Sequence, residues 1–141
     1  MAKGVETTHY NMTSQLQALS VTYEPLHRGR DTVLGYLPFS HMLSFTVLVM
    51  QLLTVGVPLV VLPRFDETAW LRSVEKYMIT WAICVPPVLI VLRNSKQLER
   101  YKLDTLRGML SAAAPLSEDL CKAVEKRLPG CTITQLSLIH I

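Results

Sequence analysis

A mostly parallel α/β sheet of about five strands, with helices on both faces, is predicted for this chain by three observations. Short apolar, often β-branched runs alternate with segments whose apolar residues recur at helical spacing. Nearly every change of element carries a Pro, a Gly or a capping side chain. The 141 residues are 50% hydrophobic and 18% charged, enough apolar surface to close a core without a disulfide or metal staple.

Each element can be justified in turn. Residues 8–20 carry Leu16 and Leu19 among polar neighbours and begin at Thr8, a capping residue, so a largely solvated helix is expected. Pro25 and Gly29 mark a loop. DTVLGYL at 31–37 reads as a strand stopped by Pro38, a helix follows from about Met42 to Gly56, and VPLVVL at 57–62 is a second, buried strand. Asp66 then caps a helix with Glu67 in its first turn and Trp70, Leu71, Val74 and Tyr77 on one stripe. ITWAICV at 79–85 is a third strand. Pro86-Pro87 ends it and suits the first turn of a helix through Arg93, followed by a polar loop with a short helix at 94–102. GMLSAAA at 108–114 is the fourth strand, Ser117 caps a helix that ends at Pro129-Gly130, and CTITQ at 131–135 is the fifth.

Several function classes are made improbable by composition. The formal charge is +3, from 14 Lys+Arg against 11 Asp+Glu, and it is spread evenly, so neither nucleic acid nor an anionic membrane is the expected partner. No Lys, Arg, Asp or Glu lies between His41 and Pro63, yet Gly56 and Pro58 divide that stretch into a buried helix and a short strand, and no transmembrane span is expected. The first residues lack the apolar core of a signal peptide. Cys84, Cys121 and Cys131 form no CxxC pair and are odd in number. A disulfide framework or zinc site is therefore not expected, and a reducing compartment is.

In parallel sheets ligands bind outside the carboxyl ends of the strands. That rule selects residues 38–43, Pro86-Pro87, residues 113–116 and whatever follows Gln135. Composition and periodicity go no further.

Several segments, in order, resemble the AMP-forming acyl-CoA synthetase family, which includes the coumarate-CoA ligases and beetle luciferases. Lys3-Gly4-Val5, with Thr8-His9 and Asn11, is similar to the end of that family's glycine-rich phosphate signature. LPFSH at 37–41 resembles its LPFFH segment. GVPLVVLPRF at 56–65, Val85-Pro86-Pro87, LDTLR at 103–107 and SAAAPLSEDL at 111–120 follow in the family's order and spacing. The resemblance implies a piece of a larger adenylating domain, residues 1–135. The parent would be an acid-thiol ligase, with a place in fatty acid metabolism, that activates a carboxylic acid with ATP and Mg²⁺ and passes the acyl group to coenzyme A.

The same resemblance implies site residues one by one. Lys3 matches the lysine that closes the phosphate signature. His41 matches a histidine thought to help position the reacting carboxylate; a polar cap on the next helix is its structural alternative. Ala112, Ala113, Ala114 and Pro115 match small residues on which the adenine lies, and the alternative is a plain strand-to-helix turn. Ala112 stands where Gly is usual, so its methyl is expected to crowd the nucleotide or to demand a negative φ. Met42, Leu43 and Phe45 would border the acyl pocket, or else belong to the core. No metal ligand is implied. Trp70 and Trp81 are expected in the core.

The departures are equally informative. Where the family carries its YGxTE segment, whose Thr and Glu contact phosphate and Mg²⁺, this chain reads LSLIHI at 136–141. That tail is expected to lie outside the family pattern, as an artefact of an incomplete gene. Residues 1–141 by themselves are expected to be inactive, with exposed sheet edges that favour aggregation. The alternatives are a non-catalytic binding or interaction module and a relative of the luciferase-like monooxygenases. The location expected is intracellular, cytoplasmic or peroxisomal.

Overall fold

The computed structural model describes residues 4–22, 26–112 and 114–136. In chain order its elements are α1 (His9–Thr22), β1 (Val33–Gly35), a π-helix (Ser44–Gln51) running into α2 (Leu52–Val55), β2 (Leu59–Val61), α3 (Glu67–Tyr77), β3 (Trp81–Cys84), α4 (Pro86–Asn94), a 3-10 turn (Leu98–Arg100), β4 (Gly108–Ser111), α5 (Glu118–Arg127) and β5 (Thr132–Gln135). The five strands form one sheet in the order β2-β1-β3-β4-β5, and every pairing is parallel. The α/β class, the strand number and the alternation therefore follow the sequence expectation. The strands are shorter than their apolar runs, because flanking residues turn into loops rather than extend the ladder.

The starts of the helices follow from their capping residues. Asp66 accepts a hydrogen bond from the Ala69 N–H at 2.8 Å, and Ser117 accepts one from the Leu120 N–H at 3.3 Å. Thr8 and Asn11 exchange bonds ahead of α1: the Asn11 N–H donates to Thr8 Oγ1 at 3.1 Å and the Thr8 N–H donates to Asn11 Oδ1 at 3.0 Å. Gly56 ends α2 in the left-handed region, at φ 68°.

Strand alternation sends side chains to two separate cores. Leu34, Ala82, Cys84 and Met109 meet Trp70, Leu71 and Val74 of α3, Leu89 and Leu92 of α4, and Leu120 and Val124 of α5. On the opposite face Val33, Ile83 and Leu110 meet Leu48 and Leu52 from the π-helix and α2. Trp70 is fully buried, as expected; Trp81 is only half-buried. Trp81 lies over Gly108 of the paired strand, where a Cβ would stand 2.3 Å from its Cζ3 atom. No helix among the described residues is long and apolar enough to cross a membrane.

The amino ends of the central strands are tied together by a charge that the sequence does not announce. Asp31, 2% exposed, accepts hydrogen bonds from the His27 N–H at 2.8 Å and the Thr80 hydroxyl at 3.0 Å, and it pairs with Arg107 and Arg30. Asp31, Thr80 and Arg107 precede β1, β3 and β4 respectively. Burial alone would push the Asp31 carboxyl up. The bonds from His27, Thr80 and Arg107, with the Arg107 charge, outweigh that and hold it below the ordinary aspartate value.

Candidate functional site

Because all five strands run the same way, their carboxyl ends share one rim. The connections leaving β1 and β3 diverge: the first enters the π-helix over one face, and the second enters α4 over the other. In an open parallel sheet such a reversal between neighbouring strands leaves a crevice at the carboxyl edge. Residues 38–41 border this one on the β1 side and residues 85–87 on the β3 side. Ala112 follows β4, one strand further along, and β1 and β4 are two strand spacings apart in the sheet, about 9–10 Å. The His41 and Ala112 turns leave the same rim, beside the same intervening strand.

His41 is held by its own turn. Its N–H donates to the Pro38 carbonyl at 3.0 Å, its carbonyl accepts from the Phe45 N–H at 2.9 Å, and Nδ1 accepts from the Leu43 N–H at 3.2 Å. The ring thus caps the helix that follows, the structural alternative its position allowed. Capping and ligand contact are compatible: with Nδ1 accepting, the neutral imidazole carries its proton on Nε2, and the side chain is exposed at the rim.

The apolar residues beside it divide. Met42 and Phe45 are 51% and 38% exposed, as is Phe39 at 38%. Leu43 is half-buried and packs on the second core. Only Leu43 of these three therefore joins the core.

The turn after β4 is built from sheet and loop together. Ala112 is buried, and its N–H donates to the Cys84 carbonyl at 3.3 Å, extending the β3–β4 ladder by one bond. Ala114 and Pro115 are exposed, and Leu116 tucks into the first core. Among non-glycine described residues only Met78 has a positive φ. The Ala112 methyl thus sits within the protein on ordinary backbone, where a side chain costs no strain. Lys3, Ala113 and residues 137–141 lie outside the described residues.

Two further groups lie at this end, of which only Cys84 figured in the sequence reasoning, as a thiol outside any metal or disulfide pattern. Tyr36, directly after β1, is buried against Phe65 with ring centroids 5.4 Å apart, and burial, reinforced by the neighbouring Cys84, pushes its phenol well up. Burial likewise pushes the Cys84 thiol up to about 12, so it is an inert core group at neutral pH. Their strand alternation was the available signal. All three cysteines are free. Among the described residues no three His, Cys, Asp or Glu side chains gather to hold a metal ion.

An apolar groove also lies away from the rim, between Leu48 and Leu52 on one side and Val33, Trp81, Ile83 and Leu110 of the sheet face on the other. Gln51 and Thr134 are the polar residues in its lining.

Comparison with known proteins agrees with this architecture. A family model described as AMP-binding enzyme matches residues 1–136. The chain is 34% identical over 137 residues to 4-coumarate-CoA ligase 2 of Oryza sativa subsp. japonica, covering 96% of this chain and 24% of that protein. It is 31% identical over 138 residues to 4-coumarate-CoA ligase 2 of Narcissus pseudonarcissus, again covering 96% of this chain and 24% of that one. Among solved structures it superposes on a long-chain-fatty-acid-CoA ligase from Archaeoglobus fulgidus with a TM-score of 0.80 at 28% identity, covering 92% of this chain and 27% of that chain. It thus spans about a quarter of the length of the curated relatives it matches. With the matched residues running through every strand of the parallel sheet, the chain belongs to the AMP-binding enzyme family.

Proposed function

We propose that this chain is part of the large adenylating domain of an acid-thiol ligase. The complete enzyme joins a carboxylic acid to the α-phosphate of ATP with loss of pyrophosphate, then transfers the acyl group from AMP to the thiol of coenzyme A. One observation carries the reading: in a chain of this family, the His41 turn and the 112–115 turn leave the same rim of one parallel sheet.

The chemistry sets what these residues do. Carboxylate and triphosphate repel, so the acid must be oriented and its charge met by donors already in place. His41, its ring steadied by the Leu43 N–H, offers Nε2–H to one carboxylate oxygen and leaves the other to attack. Met42 and Phe45 supply apolar surface for the acyl group and help exclude water, which would otherwise hydrolyse the acyl-adenylate. The backbone around Ala112, Ala114 and Pro115 offers a flat bed for adenine. The glycine-rich loop and the YGxTE segment, both parts of the parent enzyme, complete the phosphate site.

Acid-dependent ATP–pyrophosphate exchange tests this. Residues 1–141 alone are expected to show none. A chimaera in which residues 4–136 replace the matching quarter of the rice ligase is expected to exchange, and His41→Ala in that chimaera to lower exchange on the order of 10²-fold. Exchange by residues 1–141 alone, or a folded chimaera indifferent to His41→Ala, would overturn the assignment of roles.

A further inference from the structure

The charge that the sequence leads one to expect evenly spread is sorted by the fold. Helices α3 and α5 each leave the carboxyl rim of the sheet and return to its amino rim. The first turn of α3 carries Glu67 and that of α5 carries Glu118 and Asp119, whereas Lys76 stands in the last turn of α3 and Lys126 and Arg127 in that of α5. Each helix thus meets the partial charges at its own ends with side chains of opposite sign, and the parallel topology aligns those choices. These acids stand toward the rim that holds His41, and these cations toward the opposite one.

The end of α4 and the connection after it extend the cationic side. Residues 93–102 hold Arg93, Lys96, Arg100 and Lys102, all exposed, against Glu99 alone, an excess as large as the formal charge of +3 on the whole chain. This segment is fixed in place. Arg127 donates to the Leu92, Arg93 and Ser95 carbonyls at 3.0, 2.6 and 2.6 Å, the Lys102 N–H donates to the Glu75 carboxylate at 3.0 Å, and Leu98 is buried in the first core. The last turns of α3 and α5 are therefore tied directly to it. On the same side Glu75 and Glu125 each accept a backbone N–H, and Glu99 and Asp104 are exposed. The cations named outnumber these acids.

Apolar side chains stand beside the cations. Tyr77 is 45% and Met78 66% exposed at the end of α3, and Lys76 Nζ lies 5.0 Å from the centroid of the Tyr77 ring. Met78 closes the helix in the left-handed region, at φ 49°, where glycine is usual.

We propose that this side of the helical layer docks on an anionic lipid surface. Cations drawn from three helix ends and one connection suit a surface of many phosphates better than a single bound anion. Tyr77 and Met78 enter the boundary between headgroups and acyl chains while the charges stay among the headgroups. Nucleic acid would answer the charge but offers little to Met78. Docked by the ends of α3 and α5, the chain turns its carboxyl rim, with His41, away from the lipid and toward water. The inference does not rest on acyl activation, and its test needs no activity.

Flotation of the full chain with lipid vesicles measures the docking and separates bound protein from any aggregate. Binding is expected to phosphatidylcholine vesicles that contain about 30% phosphatidylserine, about tenfold or more tighter than to phosphatidylcholine alone, and falling steeply as salt is raised. Lys96→Gln, Arg100→Gln and Lys102→Gln together are expected to weaken it on the order of 10²-fold, and Met78→Ser about threefold. Arg28→Gln, Arg64→Gln and Lys122→Gln, which remove the same charge outside the patch, are expected to cost less than about fivefold. No binding, equal binding to both kinds of vesicle, or equal loss from the two triple variants would overturn the proposal. Tighter binding of a short DNA duplex than of the vesicles would make nucleic acid the partner and overturn it as well.

Discussion

At the amino ends of β1, β3 and β4, Asp31 gathers the His27 N–H, the Thr80 hydroxyl and the Arg107 guanidinium around one buried carboxylate. At the carboxyl ends of the same strands, His41, Met42, Phe45, Ala114 and Pro115 stand exposed, and the polar contacts of His41 are confined to its own turn. The contrast shows where stability and function can be separated in a parallel sheet. Charges that join three strands resist loosening, while a rim made of turns leaves groups open to a ligand.

Breaking the amino rim should therefore cost most. Asp31→Ala removes one ion-pair partner of Arg107 and leaves the Thr80 hydroxyl and the His27 N–H without their shared acceptor. A loss of about 2–4 kcal/mol, read from the urea midpoint, is expected. Gly108→Ala comes next, since the new methyl must displace the Trp81 ring. About 1–3 kcal/mol is expected, and a Trp81 fluorescence change should accompany it.

Acid sharpens the same contrast. The folded Asp31 carboxyl titrates below the ordinary unfolded value of about 3.9. Its stabilisation is complete above that value and is lost as the pH falls through it toward the folded pKa. The acid limb of a stability–pH profile should accordingly flatten in Asp31→Asn, and an unchanged limb would show that other carboxylates govern it.

The smallest effect is expected at the opposite rim. His41→Ala removes an exposed ring with one cap bond and should change stability by less than about 0.5–1 kcal/mol. A larger loss would make His41 a structural residue first and weaken its proposed role with substrate.

Much of the fold was legible because its signals are local. Asp66 and Ser117 start their helices as capping side chains do anywhere, and short apolar runs, β-branched in most strands but not in Gly108–Ser111, mark the sheet. The 31–37 run overshot at Asp31, whose carboxylate is taken by Thr80 and Arg107, forty-nine and seventy-six positions later, whereas the Thr32 carbonyl still accepts from the Thr80 and Trp81 N–H groups at the edge of the ladder. His41 was legible at the site only through its place after a strand and the segment it resembles. Its capping alternative was legible too, whereas the split of Leu43 from Met42 and Phe45 depends on how the following helix lies on the sheet.

By itself, then, the amino-acid order determined the alternation of elements, the parallel sheet and the family, since caps, turn residues and apolar spacing act within a few residues of one another. Only the tertiary structure decided that Asp31 meets Arg107, that Trp81 lies over Gly108, and that His41 and the Ala112 turn border one rim. Those facts rest on strand order and register, which are set by packing between residues far apart in the chain and leave no mark on any short stretch of it.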